Sequence, residues 1–277
     1  GLVLFLGGLF LYKTKKMDLA GIISCAGVFS VFFGFMYGSF FGFEDVLKAI
    51  WLKPMNQMMD VPLVGRLNAV FVIAIGFGMF IILICMVFNI INSIRRGDTE
   101  KTWFDSNAVA GLVFYGSIVL TIGLFISGKK LPAAAILVIM FGVPLLLMFL
   151  KEPLTNLVEK KSEILPEQKG MFFVQSFFEL FEVLLSYLSN TLSFLRIGAF
   201  AVSHAAMMEV VLMLAGATNG GSPNWVVVVL GNIFVCAMEG LIVGIQVLRL
   251  EYYEIFSRFY AGNGREFKPF MKAAHKN

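Results

Sequence analysis

The stretch FFELFEVLLSYLSNTLSFLRIGAFAVSHAAMMEVVLML, from Phe177 to Leu214, decides how the rest of the chain is read. Its apolar density suits lipid, yet it carries Glu182, Ser186, Ser189, Ser193, Arg196, His204 and Glu209. A guanidinium at mid-bilayer costs about 2.5 to 3.5 kcal/mol on insertion scales, so something must offset Arg196. Glu182, Ser189 and Arg196 are spaced by seven residues, and Ser186 and Ser193 each sit one turn from two of them. All five therefore share one stripe of a helix. At about 100° per residue His204 falls about 80° round from Arg196, on the flank of that stripe, and Glu209 about 140° away. The pattern predicts a polar seam with one fixed cation near its centre. Two readings stand: an arginine that only locks helices together, or a functional site, the usual meaning of an ionisable residue inside a membrane.

The surrounding sequence supplies the membrane. In 277 residues, 58% are hydrophobic and 14% charged, with a mean hydropathy of +0.84. That composition defines an integral membrane protein with no sizeable soluble domain. The three cysteines, Cys25, Cys85 and Cys236, lie in apolar runs without metal or redox spacing and read as small buried residues. Gly262 to Gly264 is not a phosphate loop, because no Lys-Ser/Thr follows at the required spacing; it reads as a turn ending the last helix. No catalytic triad, metal-ligand spacing or nucleic-acid signature is present in the sequence.

Seven apolar segments are expected, all helical. The first, Gly1 to Leu11, is too short to span and has no basic leader or cleavage site, which predicts that an N-terminal portion of a longer polypeptide is missing. A basic turn at Lys13 to Lys16 precedes a span from Leu19 to Phe43, and a polar connection covers Glu44 to Asn68. A span from Ala69 to Ile91, a charged loop from Asn92 to Ser106 and a hairpin of Asn107 to Ile126 with Pro132 to Leu150 follow. A charged segment, Lys151 to Lys169, leads into one long helix, Gly170 to Ala215, and the last helix runs from Trp225 to Tyr260. Of the 22 Lys and Arg, fifteen fall in connections on the C-terminal side and five on the other, with Arg196 and Arg249 inside spans. The positive-inside rule then puts the C-terminus in the cytoplasm. The long helix measures about 69 Å at 1.5 Å per residue against a core of about 30 Å, so it must tilt, kink or run along the interface. On the last helix, Glu239, Gln246 and Arg249 share one face, with Glu251 and Glu254 following. Glu182, Glu239 and Gln246 are the expected partners of the two arginines.

Several blocks carry a resemblance. SNTLSFLR, Ser189 to Arg196, AFAVSHAAMMEV, Ala199 to Val210, and MEGLIVGIQVLRLEYYEIFSRFYAGNGREFKPF, Met238 to Phe270, resemble the C-terminal membrane domain of the stator subunit a, or subunit I, of V/A-type rotary ATPases. GVFSVFFGFMYGSFFG, Gly27 to Gly42, resembles an earlier membrane segment of that family. The resemblance implies an all-α, polytopic membrane protein with two long, strongly tilted C-terminal helices, lacking here a cytoplasmic arm and a first membrane helix. It implies scaffold helices over 1–169 and an ion-translocating helix pair with a cytoplasmic tail over 170–277. Arg196 matches the family's essential arginine and Arg249 its second. Glu182, Ser189, His204, Glu239 and Gln246 match positions near two aqueous half-channels, and Glu179, Ser193, Glu209 and Glu254 are channel-edge candidates, with plain interface positions as the alternative. Ser186, where relatives have Asn, and the IGAF after Arg196, where eukaryotic relatives have LWAL, are departures that suggest a bacterial or archaeal type, expected in the plasma membrane, and leave the ion open.

The implied function is that of a non-catalytic stator. Its half-channels would pass H⁺ or Na⁺ to and from the carboxylates of a rotating proteolipid ring (K subunit), with Arg196 keeping the two paths apart. Central- and peripheral-stalk subunits would be further partners, through the missing arm, and no nucleic acid is implied. The rivals are a stand-alone secondary transporter or antiporter, against which the lack of internal symmetry speaks, and a non-transporting scaffold, which leaves the membrane acids and arginines without a purpose.

Overall fold

The computed structural model describes residues 1–38, 58–61, 65–130, 132–158, 169–217, 222–260 and 262. Helices dominate, as expected. They are α1 (Leu2–Lys15), α2 (Asp18–Tyr37), α3 (Ala69–Arg96), α4 (Thr99–Trp103), α5 (Val109–Ile126), α6 (Ala134–Phe149), α7 (Lys151–Val158), α8 (Lys169–Ser193), α9 (Leu195–Leu214), α10 (Trp225–Leu250) and α11 (Ser257–Phe259), with a π-helical turn, Glu251–Phe256, between the last two. One short antiparallel hairpin, β1 (Met58–Val61) and β2 (Gly65–Asn68), precedes α3 and was not foreseen from sequence.

Among the described residues five stretches are long and apolar enough to cross a membrane: Asp18–Tyr37, Ala69–Arg96, Val109–Ile126, Gly170–Leu214 and Trp225–Phe259. The α6–α7 pair is a sixth if taken as one span bent by 73°. Pro153 explains the bend, since it cannot donate to the carbonyl four residues back and so prevents α6 from continuing. With α1, these account for the seven expected segments.

Several boundaries differ from expectation for local reasons. The second segment ends at Tyr37, where Gly38 adopts φ 68° and its N–H caps the Gly34 and Phe35 carbonyls; the remainder of the expected Leu19–Phe43 span lies outside the described residues. The third helix runs past Ile91 to Arg96. Its N-terminus is capped by Asn68, whose side chain accepts from the Val70 N–H, and its end is closed by Gly97 at φ 72°. Arg95 and Arg96 in the last turn suit the negative end of the helix dipole. The expected loop that follows contains α4, because Asp98 accepts from the Lys101 N–H and starts a new helix. Replacing Asp98 with Ala is expected to cost about 1 kcal/mol, read as a small drop in the thermal unfolding midpoint in detergent. Cys25 and Cys236 correct another expectation, because they are exposed on the outer surface and only Cys85 is buried.

The core forms around α3, the most buried span. Met79, Ile82 and Met86 of α3 pack with Ala110, Phe114 and Tyr115 of α5, Met148 of α6, Tyr187 of α8, Phe194 and Leu250. Phe194 is fully buried and its ring covers Gly78, where a side chain would leave no room for it. The long helix accordingly breaks at Phe194: the Phe194 N–H reaches the Thr191 carbonyl and the Ile197 N–H the Phe194 carbonyl, three residues back rather than four. Far less of the long helices is buried, 17% of one apolar window and 11% of the other against 39% for α3, leaving broad faces for lipid or a partner.

Candidate functional site

The helices α9 and α10 meet in an antiparallel register that can be followed pair by pair. Gly231 faces Val211 at a separation that a Cβ could not enter. His204 Nδ1 lies 2.5 Å from Glu239 Oε2, and Arg196 Nη1 donates to the Gln246 carbonyl at 3.3 Å. Each step of seven or eight residues along one helix is matched by a step of seven or eight back along the other, so His204 and Arg196 face their partners at depths about 12 Å apart.

The polar stripe is real on α8 but faces outward. Glu182, Ser186 and Ser189 are exposed, while Ser193 and Arg196 are half-buried. Ser186 accepts from the Asn190 amide at 3.2 Å. Glu182 and Ser189 have no hydrogen bond or ion pair among the described residues. Glu179 is paired with Lys151 at the start of α7. Glu209 and Arg249 are exposed and likewise unpaired among the described residues.

The expected partners of the arginines need correction. Arg196 pairs with neither Glu182 nor Glu239; its guanidinium donates to the Gln246 backbone and, at 3.3 Å, to Ser193 Oγ. Glu239 is held by His204 because the register places it at that depth, and Glu182 lies fourteen residues before Arg196, about 21 Å along the helix. Ser193 is in turn bonded to Glu254, which the π-helical turn carries inward and which is only 6% exposed.

Arg258, one of the fifteen basic residues expected on the cytoplasmic side, is buried. Its Nη1 donates to Asn107 Oδ1 at 2.9 Å and its Nε to the Glu254 carbonyl at 3.2 Å, and the guanidinium lies 5.9 Å from the Tyr187 ring centre. The missed signal was the four-residue row Gln246, Leu250, Glu254 and Arg258, continuing the inward face of α10 past the expected interface. Tyr187 donates its hydroxyl to the Ser106 carbonyl, and Tyr115 bonds Thr191 at 2.7 Å. Beside them Ser106, Asn107, Ser186, Asn190, Ser257 and Arg258 line a half-open polar cleft of about 110 Å³. Among the described residues no cluster of three His, Cys, Asp or Glu could hold a metal ion.

Residues 151–272 match the model of the V-type ATPase 116 kDa subunit family. The chain is 41% identical over 100 residues to the A-type ATP synthase subunit I of Saccharolobus solfataricus, covering 33% of this chain and 14% of that one. Against the A-type ATP synthase subunit I of Pyrococcus horikoshii the identity is 25% over 272 residues, 93% of this chain and 37% of the relative. The human V-type proton ATPase 116 kDa subunit a 3 is 32% identical over 129 residues, 42% of this chain and 15% of that protein. The chain thus spans well under half the length of these relatives.

Proposed function

Because the chain belongs to the V-type ATPase 116 kDa subunit family, we propose that it is the membrane stator of a rotary ATPase. Residues 170–277 would supply two offset half-channels for H⁺ or Na⁺, and residues 1–169 their scaffold. The ion would pass to and from carboxylates of a proteolipid ring, central- and peripheral-stalk subunits would be further partners, and other subunits of the complex would hydrolyse or make ATP. In this reading the C-terminus would lie in the cytoplasm and the protein in a prokaryotic plasma membrane.

The observation that carries this reading is the position of Arg196. It sits between two separate polar groups, the His204–Glu239 pair on one side and the Ser186–Asn190 cleft with exposed Glu182 and Ser189 on the other. Its own partners are a carbonyl and a hydroxyl, so no carboxylate of this chain bonds it directly among the described residues. A guanidinium left in that condition favours the ionised form of a passing carboxylate, which releases its carried ion, and repels ions moving straight between the two sides. The exposed arginine at 249, on the open face of α10, would reinforce that barrier electrostatically.

The test is isolation of the complex through a tag on this chain, followed by ATP-driven uptake in vesicles of protons or radiolabelled sodium. A proteolipid ring that co-purifies, with uptake of one of these ions, supports the stator; gradient-driven transport by the chain alone, without a ring, would support the stand-alone transporter instead. Within the assembled complex, Glu239→Gln keeps the side-chain volume and removes the charge facing His204. Uptake is expected to fall about tenfold, equivalent to about 1.4 kcal/mol of barrier. An unchanged rate would remove the His204–Glu239 pair from the path.

A further inference from the structure

We propose that Glu254 is the counter-charge of Arg196 and its positioning residue, acting through Ser193. The inference rests on the stator reading, since it concerns how the separating arginine is held. Three observations meet at Glu254. It is a carboxylate 6% exposed, one oxygen bonds Ser193 Oγ, and the other has no hydrogen-bond partner among the described residues. It stands on a π-helical turn, a rare distortion that recurs at functional sites because it re-aims side chains. Ser193 Oγ also accepts from Arg196 Nη2, so the serine donates to the acid and accepts from the base, joining two charges that do not touch.

The other acids are committed or distant. Glu239 faces His204, Glu179 faces Lys151, and Glu182 is exposed well along α8. Arg258, four residues beyond Glu254, also lies near it, with Tyr187, Tyr115 and Cys85 about its guanidinium. Its hydrogen bonds, however, go to Asn107 Oδ1 and the Glu254 main-chain carbonyl. The Glu254 carboxylate itself is turned to Ser193.

A bridged pair differs in consequence from a direct one. A bidentate carboxylate would occupy the fork of Arg196 and compete with any incoming acid. One intervening hydroxyl keeps the compensating charge near while committing a single N–H, and another N–H is committed to Gln246. The remaining donors stay available to a ring carboxylate.

The experiment compares Ser193→Ala, Ser193→Thr, Glu254→Gln and the Ser193→Ala/Glu254→Gln double variant in the assembled complex, with Arg196→Gln alongside. Ring retention and ATP-driven uptake are both read. Ser193→Ala and Glu254→Gln are each expected to lower uptake about tenfold with the ring retained. Ser193→Thr, which keeps the hydroxyl, should restore most of the rate, and the double variant should be no worse than either single change. A threonine as defective as alanine, single variants at the parental rate, or losses that multiply in the double variant would each overturn the proposal. If Glu254→Gln fails to assemble, the alanine and threonine variants decide. Loss of uptake in Arg196→Gln beside unaffected Ser193 and Glu254 variants sinks this inference alone, whereas full uptake in Arg196→Gln sinks the stator reading and this inference with it.

Discussion

Arg196→Gln in the intact complex is expected to abolish ATP-driven ion uptake while leaving the proteolipid ring assembled. Assembly should survive because the arginine is half-buried and its two hydrogen bonds, both 3.3 Å, go to a neutral carbonyl and a hydroxyl. A glutamine amide can donate to the same carbonyl, so no carboxylate among the described residues loses a direct ionic partner. Transport should not survive, because a neutral amide neither favours the ionised form of a passing carboxylate nor repels an ion crossing between the polar groups at His204 and at Ser186. A loss of at least about a hundredfold corresponds to about 2.7 kcal/mol of barrier. Arg196→Lys should also be strongly impaired, since lysine loses its proton more readily when desolvated and lacks the planar fork. Uptake near the parental rate in Arg196→Gln vesicles would make the arginine a structural lock.

The second large effect is structural. A Cβ on Gly111 would lie 1.6 Å from the Ser106 carbonyl oxygen and 2.7 Å from the Tyr187 hydroxyl. That carbonyl is the acceptor of the Tyr187 hydroxyl, and the next residue along, Asn107, holds Arg258. Neither backbone nor buried ring can move aside cheaply, so Gly111→Ala is expected to cost about 3 kcal/mol or more, beyond the usual range for overpacking. The readout is a drop of several degrees in the thermal unfolding midpoint of the purified complex, with loss of yield. Gly116→Ala, on the same helix with nothing within 4 Å of the added carbon, is the control and should be neutral or slightly stabilising. Equal midpoints for the two variants would show that the α5 N-terminus does not hold the Tyr187–Arg258 cluster in place.

Much of the site is written in periodicity. The stripe of Glu182, Ser186, Ser189, Ser193 and Arg196 follows from seven-, four- and three-residue spacings, because a helix repeats its faces at those intervals. Membrane insertion follows from composition, since apolar runs of this length have few other stable solutions. Cys25 and Cys236 show where such reasoning fails. A small apolar residue in a span faces lipid as readily as protein, and only neighbouring helices decide between them.

The sequence by itself determined that this is an all-helical membrane protein and that a cation sits inside a long polar-striped span, because hydropathy and helical period are properties of single segments. Only the tertiary structure decided what that cation touches. Phe194 had to lodge against Gly78 for the long helix to break there, and a π-helical turn had to form for Glu254 to reach Ser193. The α9–α10 register had to align before Glu239 could meet His204 and leave Arg196 to Gln246. Each of these depends on the depth at which two helices cross, a quantity set by packing between segments far apart in the chain and absent from the period of either one.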